Sequence, residues 1–228
     1  LGLTATLVRE DGMEGEVFSL IGPKRFDIPW KEIEAQGYIA PAECIEVRVT
    51  LTDHERLTYA TVEQEEKYRT CASTATKRDV VLALAKQHEN DQTLIIGQYI
   101  DQIDEIATAL NVPIVKGETP IKEREKLFAQ FRTGELKCLV VSKVANFSID
   151  LPEASIAIQI SGTFGSRQEE AQRLGRILRP KADGRTARFY SVVARDTLDQ
   201  DYAQNRQRFL AEQGYAYKII DADEVPRS

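Results

Sequence analysis

The stretch Thr93-Leu94-Ile95-Ile96-Gly97-Gln98-Tyr99-Ile100-Asp101-Gln102-Ile103-Asp104-Glu105-Ile106-Ala107-Thr108-Ala109-Leu110 passes from an unbroken apolar run to apolar residues at helical spacing. That change of period decides the fold class. Leu94-Ile95-Ile96 has the continuous apolar character of a strand buried on both faces, whereas Ile103, Ile106, Ala107 and Leu110 fall at i, i+3, i+4 and i+7. Downstream the alternation continues through Ile114-Val115, a helix-like Lys122 to Phe131, Leu136 to Val141 and Ser155 to Ile160. A helical stretch around Gln172 to Arg179, the run Ala187 to Val193 and a helix around Leu198 to Leu210 complete it. Repeated β-α units predict an α/β fold, a parallel sheet covered by helices on both faces. Thr119 followed by Pro120 predicts a helix start, with a capping hydroxyl and a proline at the first helical position. Ligands of such a sheet collect at the carboxyl ends of its strands. Gly97-Gln98-Tyr99, Lys116-Gly117-Glu118-Thr119, Ser142-Lys143 and Gly162-Thr163-Phe164-Gly165 are therefore expected along one rim, the geometry of a strand-binding track.

Within this frame, Gln172-Arg173-Leu174-Gly175-Arg176-Ile177-Leu178-Arg179 carries the clearest chemical signal. Gln172, Arg176 and Arg179 share one helical stripe at i, i+4 and i+7, while Ala171, Leu174 and Leu178 form an apolar face that can pack on a sheet. Guanidinium groups held in this way suit an anion with its oxygens spread over a plane, such as a phosphoryl group in transfer to water. The same stripe also fits a solvated charged face paired with Glu169 and Glu170. No G-x-x-x-x-G-K-[ST] loop occurs, and Gly22-Pro23-Lys24 lacks the first glycine and the hydroxyl that such a loop needs. Asp104-Glu105 is the nearest approach to an acidic ATPase box, but it falls on a helical pattern instead of capping a buried strand.

Composition narrows the classes. The 228 residues are 42% hydrophobic, enough for one sizeable core with an appended subdomain, and no apolar run approaches membrane-spanning length. A net charge of −6 argues against a surface that coats polyanions generally, so any nucleic-acid site must be narrow. Cys44, Cys71 and Cys138 are scattered, with no C-x-x-C, and only His54 and His88 accompany them; free thiols are expected and no metal site. The two histidines read most simply as surface residues of helices.

Residues 1 to 92 pattern differently. Glu46-Val47-Arg48-Val49-Thr50-Leu51 alternates as a strand does, and Asp53 to Arg69 and Lys77 to Glu89 read as two helices joined by the small polar run Thr70 to Thr76. At the level of single residues, Tyr99 suits either stacking on a base or the edge of a core, and Lys143 and Arg167 suit either a phosphate contact or solvent.

The octet has the Q-x-x-G-R-x-x-R form of motif VI of superfamily 2 helicases. Leu3-Thr4-Ala5-Thr6 resembles their motif III, and Ser142-Lys143-Val144-Ala145-Asn146-Phe147-Ser148-Ile149-Asp150-Leu151-Pro152 resembles motif V, with Ser148 where many members have glycine. Leu1 to Asp11, Ile21-Gly22-Pro23-Lys24, Gly37-Tyr38-Ile39-Ala40 and Arg206-Gln207-Arg208-Phe209-Leu210-Ala211-Glu212-Gln213-Gly214-Tyr215 resemble the XPB family of DNA repair and transcription helicases in particular.

The resemblance implies a RecA-like domain at residues 93 to 228, the tail of a first motor domain and a linker at 1 to 45, and a strand with a helical thumb-like segment at 46 to 92. A thumb near Asp53 to Glu89 would grip DNA; two ordinary helices beside the sheet fit the same sequence. It further implies an ATP-dependent 3-prime to 5-prime DNA helicase or translocase, of which this chain is the C-terminal half. The chain opens within motif III without an initiator methionine, so the phosphate-binding loop is expected in an N-terminal motor domain that holds most of ATP and Mg2+. Gln172, Arg176 and Arg179 would clamp the γ-phosphate, and Asp150 would couple nucleotide to DNA. Gln98, Tyr99, Gly117, Thr119, Ser142, Lys143 and Arg167 would line the track for single-stranded or junction DNA. The implied setting is the cytoplasm, DNA-associated, with a repair nuclease as partner. Alternatives are a non-catalytic DNA-binding or assembly module, or another superfamily 2 motor such as a restriction translocase or an RNA helicase.

Overall fold

The computed structural model describes residues 42–142, 154–162, 186–212 and 215–226, with single positions at 19, 20, 22 and 32. Its strands are β1 (Ala42–Val49), β2 (Thr93–Gly97), β3 (Ile114–Val115), β4 (Cys138–Ser142), β5 (Ile156–Gln159), β6 (Ala187–Ala194) and β7 (Ala216–Asp221). Its helices are α1 (Asp53–Thr61), α2 (Lys67–Ala72), α3 (Ala75–Gln87), α4 (Ile100–Leu110), α5 (Ile121–Arg132) and α6 (Leu198–Glu212), and a 3-10 turn covers Ala222–Glu224. The strands make one seven-stranded sheet in the order β3-β4-β2-β5-β6-β1-β7, and every pairing is parallel.

Alternate strand residues feed two cores, one on each face. Leu94, Ile96, Leu139 and Val141 meet Phe128 and Phe131 of α5 and Leu210 of α6. Ile95, Val140 and Ile158 meet Val80, Val81 and Leu84 of α3 and Ile103 and Ile106 of α4. Both faces of the sheet are therefore covered, which explains why its central strands are apolar without interruption.

The strand expected from Glu46 runs from Ala42 and lies inside the sheet, between β6 and β7. β7 itself escaped the sequence reading, because an edge strand with the exposure pattern of Ala216–Asp221 has no two-sided apolar run to signal it. The single helix expected from Asp53 to Arg69 is two. α1 ends at Val62, whose backbone is extended at φ −75° and ψ 155° and whose N–H still bonds the Thr58 carbonyl. The break has a packing reason: α1 buries none of its residues, whereas α2 turns Tyr68, Cys71 and Ala72 inward. The next helix begins at Ala75, capped by the Thr74 hydroxyl.

His88 departs from its expected surface position. It is buried, with Nε2 3.0 Å from the Tyr190 hydroxyl and Nδ1 3.2 Å from Asp91, while His54 is exposed. Cys44 and Cys71 are buried and Cys138 is half-buried, none of the three in a disulfide, and burial pushes the Cys138 thiol up to about 12. Among the described residues no helix is long and apolar enough to cross a membrane.

Candidate functional site

Because every pairing in the sheet is parallel, the ends of β3, β4, β2 and β5 lie along one edge in that order. β2 is followed by β3 on one side and β5 by β6 on the other, so the order reverses between the adjacent strands β2 and β5. In open α/β sheets this switch point leaves a crevice at the carboxyl ends. Gln98 stands at one lip and Ser161 at the other: the Gln98 N–H donates to Ser161 Oγ at 2.8 Å. Ser161 Oγ in turn donates to Gln102 Oε1 at 2.9 Å, and Gln102 Nε2 donates to the Ala72 carbonyl at 2.6 Å. A relay of buried polar groups thus joins β2, β5, α4 and α2. Gly97 sits beneath it, where a Cβ would lie 2.3 Å from Ile103 Cγ2 and 3.2 Å from Ile160 Cγ2. Gly97→Ala is accordingly expected to destabilise the chain by about 1–3 kcal/mol through overpacking. A shift below about 0.5 kcal/mol in a urea titration would mean that the crevice floor is not tightly packed.

Tyr68 closes the crevice from the side of α2. Its hydroxyl donates to the Gly162 carbonyl at 2.8 Å and accepts the Gly162 N–H at 3.2 Å. Burial, with Asp199 nearby as the next cause, pushes this hydroxyl well above the ordinary tyrosine range, so it stays protonated and able to do both. The Tyr68 ring packs on Tyr99 and Tyr202, with centroids 6.4 and 5.0 Å apart, in a third cluster with Leu51, Cys71, Ala72 and Ala194.

Tyr99 is half-buried at the edge of that cluster, and burial pushes its hydroxyl up to about 12. The Arg69 guanidinium lies over its ring at 5.6 Å and is held at 2.9 Å by Asp101. A base stacking on this face would have to displace Arg69.

Beyond β3, the Lys116 to Thr119 loop is gathered by buried Arg124, whose Nη2 donates to the carbonyls of Lys116, Gly117 and Thr119 at 3.2–3.3 Å. The Thr119 hydroxyl accepts the Lys116 N–H at 2.8 Å instead of capping the helix; α5 starts at Ile121 with Pro120 as its N-cap. The correction is one residue. With its carbonyls turned inward, the loop leaves Gly117 exposed. Ser142 is buried at the end of β4. Gln98, Tyr99, Gly117, Thr119 and Ser142 thus share the rim, though Ser142 offers no side chain to solvent.

Lys143, Asp150, Arg167, Gln172, Arg176 and Arg179 lie outside the described residues. Asp104 and Glu105 are on α4, where Asp104 pairs with Lys116 at 2.7 Å and Glu105 with Arg78 at 3.0 Å. Among the described residues no group of His, Cys, Asp and Glu is placed to hold a metal ion.

The sequence reading missed a buried ion pair. Lys77 Nζ lies 2.6 Å from Asp199 Oδ2, with both side chains out of solvent at 0% and 2% exposure. Asp199 Oδ2 also accepts the Ala194 N–H at 3.0 Å. Lys77 precedes Val80, Val81 and Leu84 on an apolar stripe, which could have flagged a buried charge. Its partner, 122 positions away, left no local signal.

The description "ERCC3/RAD25/XPB C-terminal helicase" matches residues 33–227. A relative from Kineococcus radiotolerans, "DNA 3'-5' helicase XPB", is 70% identical over 225 residues, which cover 99% of this chain and 40% of that protein. A Drosophila melanogaster relative, "General transcription and DNA repair factor IIH helicase/translocase subunit XPB", is 40% identical over 96% of this chain and 28% of its own length. This chain thus spans two fifths or less of these two relatives. Among solved structures, S. cerevisiae Dbp5 bound to RNA and ADP BeF3 aligns with a TM-score of 0.63 at 17% identity, over 95% of this chain and 50% of that one. At that identity the likeness is one of fold, the RecA-like domain of helicases.

Proposed function

This chain belongs to the ERCC3/RAD25/XPB family, over its C-terminal helicase part, and from that membership we propose that it forms the second motor domain of an ATP-dependent 3-prime to 5-prime DNA helicase or translocase. The observation that carries the reading is the match over residues 33–227. The parallel sheet, whose switch point between β2 and β5 lies on the edge shared by Gln98, Tyr99, Gly117, Thr119 and Ser142, supports it. The names of the relatives favour a role in DNA repair or in transcription, and within repair our reading is nucleotide excision repair.

In this reading residues 1 to 45 are the tail of a first motor domain and a linker, and residues 53 to 89 supply the thumb-like helices. ATP and Mg2+ are held mainly by the N-terminal motor domain. Gln172, Arg176 and Arg179 face the γ-phosphate from across the cleft and Asp150 links nucleotide to DNA. Gln98, Tyr99, Gly117, Thr119, Lys143 and Arg167 track single-stranded or junction DNA, with Ser142 shaping the floor between them. The protein would work in the cytoplasm on DNA, with a repair nuclease as a further partner.

The chain contains no G-x-x-x-x-G-K-[ST] loop, so on its own it is expected to show no ATP turnover with or without DNA, while the full-length protein shows DNA-stimulated turnover. Phosphate release measured on both preparations checks this. Robust DNA-stimulated release from the purified chain alone would defeat the division of labour.

A further inference from the structure

The loop that follows β3 has its backbone turned in one sense. Arg124 of α5, only 7% exposed, donates through Nη2 to the carbonyls of Lys116, Gly117 and Thr119. Its Nε is buried without a partner among the described residues, so every hydrogen bond that the guanidinium makes there goes to this loop. A trans peptide unit points its C=O and its N–H in opposite directions, and no peptide bond among the described residues is cis. Drawing the Lys116 and Gly117 carbonyls inward therefore turns the N–H groups of Gly117 and Glu118 away from Arg124. Both residues are exposed, and neither N–H has a partner among the described residues. The third carbonyl, that of Thr119, precedes Pro120, which has no N–H to present. The turn itself is closed twice, by the Thr119 N–H on the Lys116 carbonyl at 3.1 Å and by the Lys116 N–H on the Thr119 hydroxyl at 2.8 Å.

The loop's own side chains make a poor anion site. Lys116 Nζ is committed to Asp104 at 2.7 Å, and the Glu118 side chain is a carboxylate at 82% exposure. We propose that Arg124 is a positioning residue for DNA binding: by holding the carbonyls inward it presents the Gly117 and Glu118 N–H groups, as a pair of neutral donors, to one backbone phosphate. The inference rests on the reading of Gly117 and Thr119 as part of the DNA track. Successive backbone N–H groups held in a turn bind anions without a charged side chain. The buried guanidinium behind them adds a positive charge that water and salt screen weakly.

The test is binding of a labelled single-stranded oligonucleotide to the full-length protein across a series of salt concentrations, for Arg124→Met, Gly117→Pro and the two combined. Gly117 has no positive φ and stands at the second position of the turn, where proline is favoured, so Gly117→Pro keeps the turn and deletes one N–H. Each single substitution is expected to weaken binding about 10-fold, the worth of one hydrogen bond to a charged group. The combined variant should fall less than about threefold below Gly117→Pro alone, because Arg124 acts largely through an amide already lost. Full additivity, about 100-fold for the pair, would mean that Arg124 acts elsewhere and would overturn the inference. The slope of log affinity against log salt should not change in Arg124→Met, since only neutral donors leave the phosphate. A slope shallower by about 0.7, the mark of one phosphate neutralised on a single strand, would make Arg124 itself the ligand and is equally fatal. If Arg124→Met fails to fold, Arg124→Lys takes its place: an ammonium on a shorter stem cannot span the three carbonyls, so a loss of about threefold or more is expected and unchanged affinity overturns the inference. Normal binding by Gly117→Pro removes the phosphate reading of this loop and the inference with it. Weak Gly117→Pro beside an Arg124→Met within about twofold of the unsubstituted protein removes the inference alone.

Discussion

Replacing Arg176 with alanine in the full-length protein is expected to lower DNA-stimulated ATP turnover by about 10³ to 10⁵, the range typical of arginine fingers, and Arg179→Ala should act in the same direction. The charge that develops on a transferring γ-phosphoryl group spreads over its equatorial oxygens, and a guanidinium fork reaches two of them at once. Lysine should therefore rescue poorly, because an ammonium keeps the charge and loses the planar fork. If the two arginines only pair with Glu169 or Glu170 on the surface, either substitution should change stability by about 1 kcal/mol or less and leave turnover near normal. Turnover and thermal unfolding measured on one Arg176→Lys preparation decide the matter, and normal hydrolysis would end the finger assignment at that position.

Asp199→Ala should cost this chain a large part of its stability. It strands the Lys77 ammonium at 0% exposure and leaves the Ala194 N–H without its acceptor. Removing one partner of a buried pair costs about 3–5 kcal/mol, since the other charge stays desolvated with nothing to offset it. For a chain of this size that corresponds to a fall in Tm of roughly 6 to 20 °C. The pair itself is not required for stability: Lys77→Met combined with Asp199→Asn keeps an acceptor for Ala194, removes both charges, and should recover most of the loss. Calorimetry on the two variants beside the unsubstituted chain tests both halves. A loss below about 1 kcal/mol for Asp199→Ala would mean that the site admits water.

Fold and site were legible to different degrees for a common reason, the range over which a signal acts. The unbroken run Leu94-Ile95-Ile96 and the helical spacing of Ile103, Ile106 and Ala107 report burial by local period, so β2 and α4 could be read from neighbouring residues. The rim followed as well, because parallel strands put Gln98 and Gly117 at the same edge wherever they pair. Motif spacing brought out Gln172, Arg176 and Arg179, which the structure leaves undescribed. The break between α1 and α2 was not legible, since Glu63 to Glu66 is polar enough to continue a solvated helix and only the need to bury Tyr68 and Cys71 ends it.

The sequence by itself determined the two-sided parallel sheet, the absence of a phosphate-binding loop in this chain and the family to which it belongs. Only the tertiary structure decided that β1 lies between β6 and β7, that the crevice falls between β2 and β5, and that His88 turns inward to Tyr190. It alone matched Tyr68 to Gly162 and Lys77 to Asp199. Strand neighbours and buried polar partners are chosen by packing between segments far apart in the chain, and a local period carries no information about which distant group will satisfy a buried donor or charge.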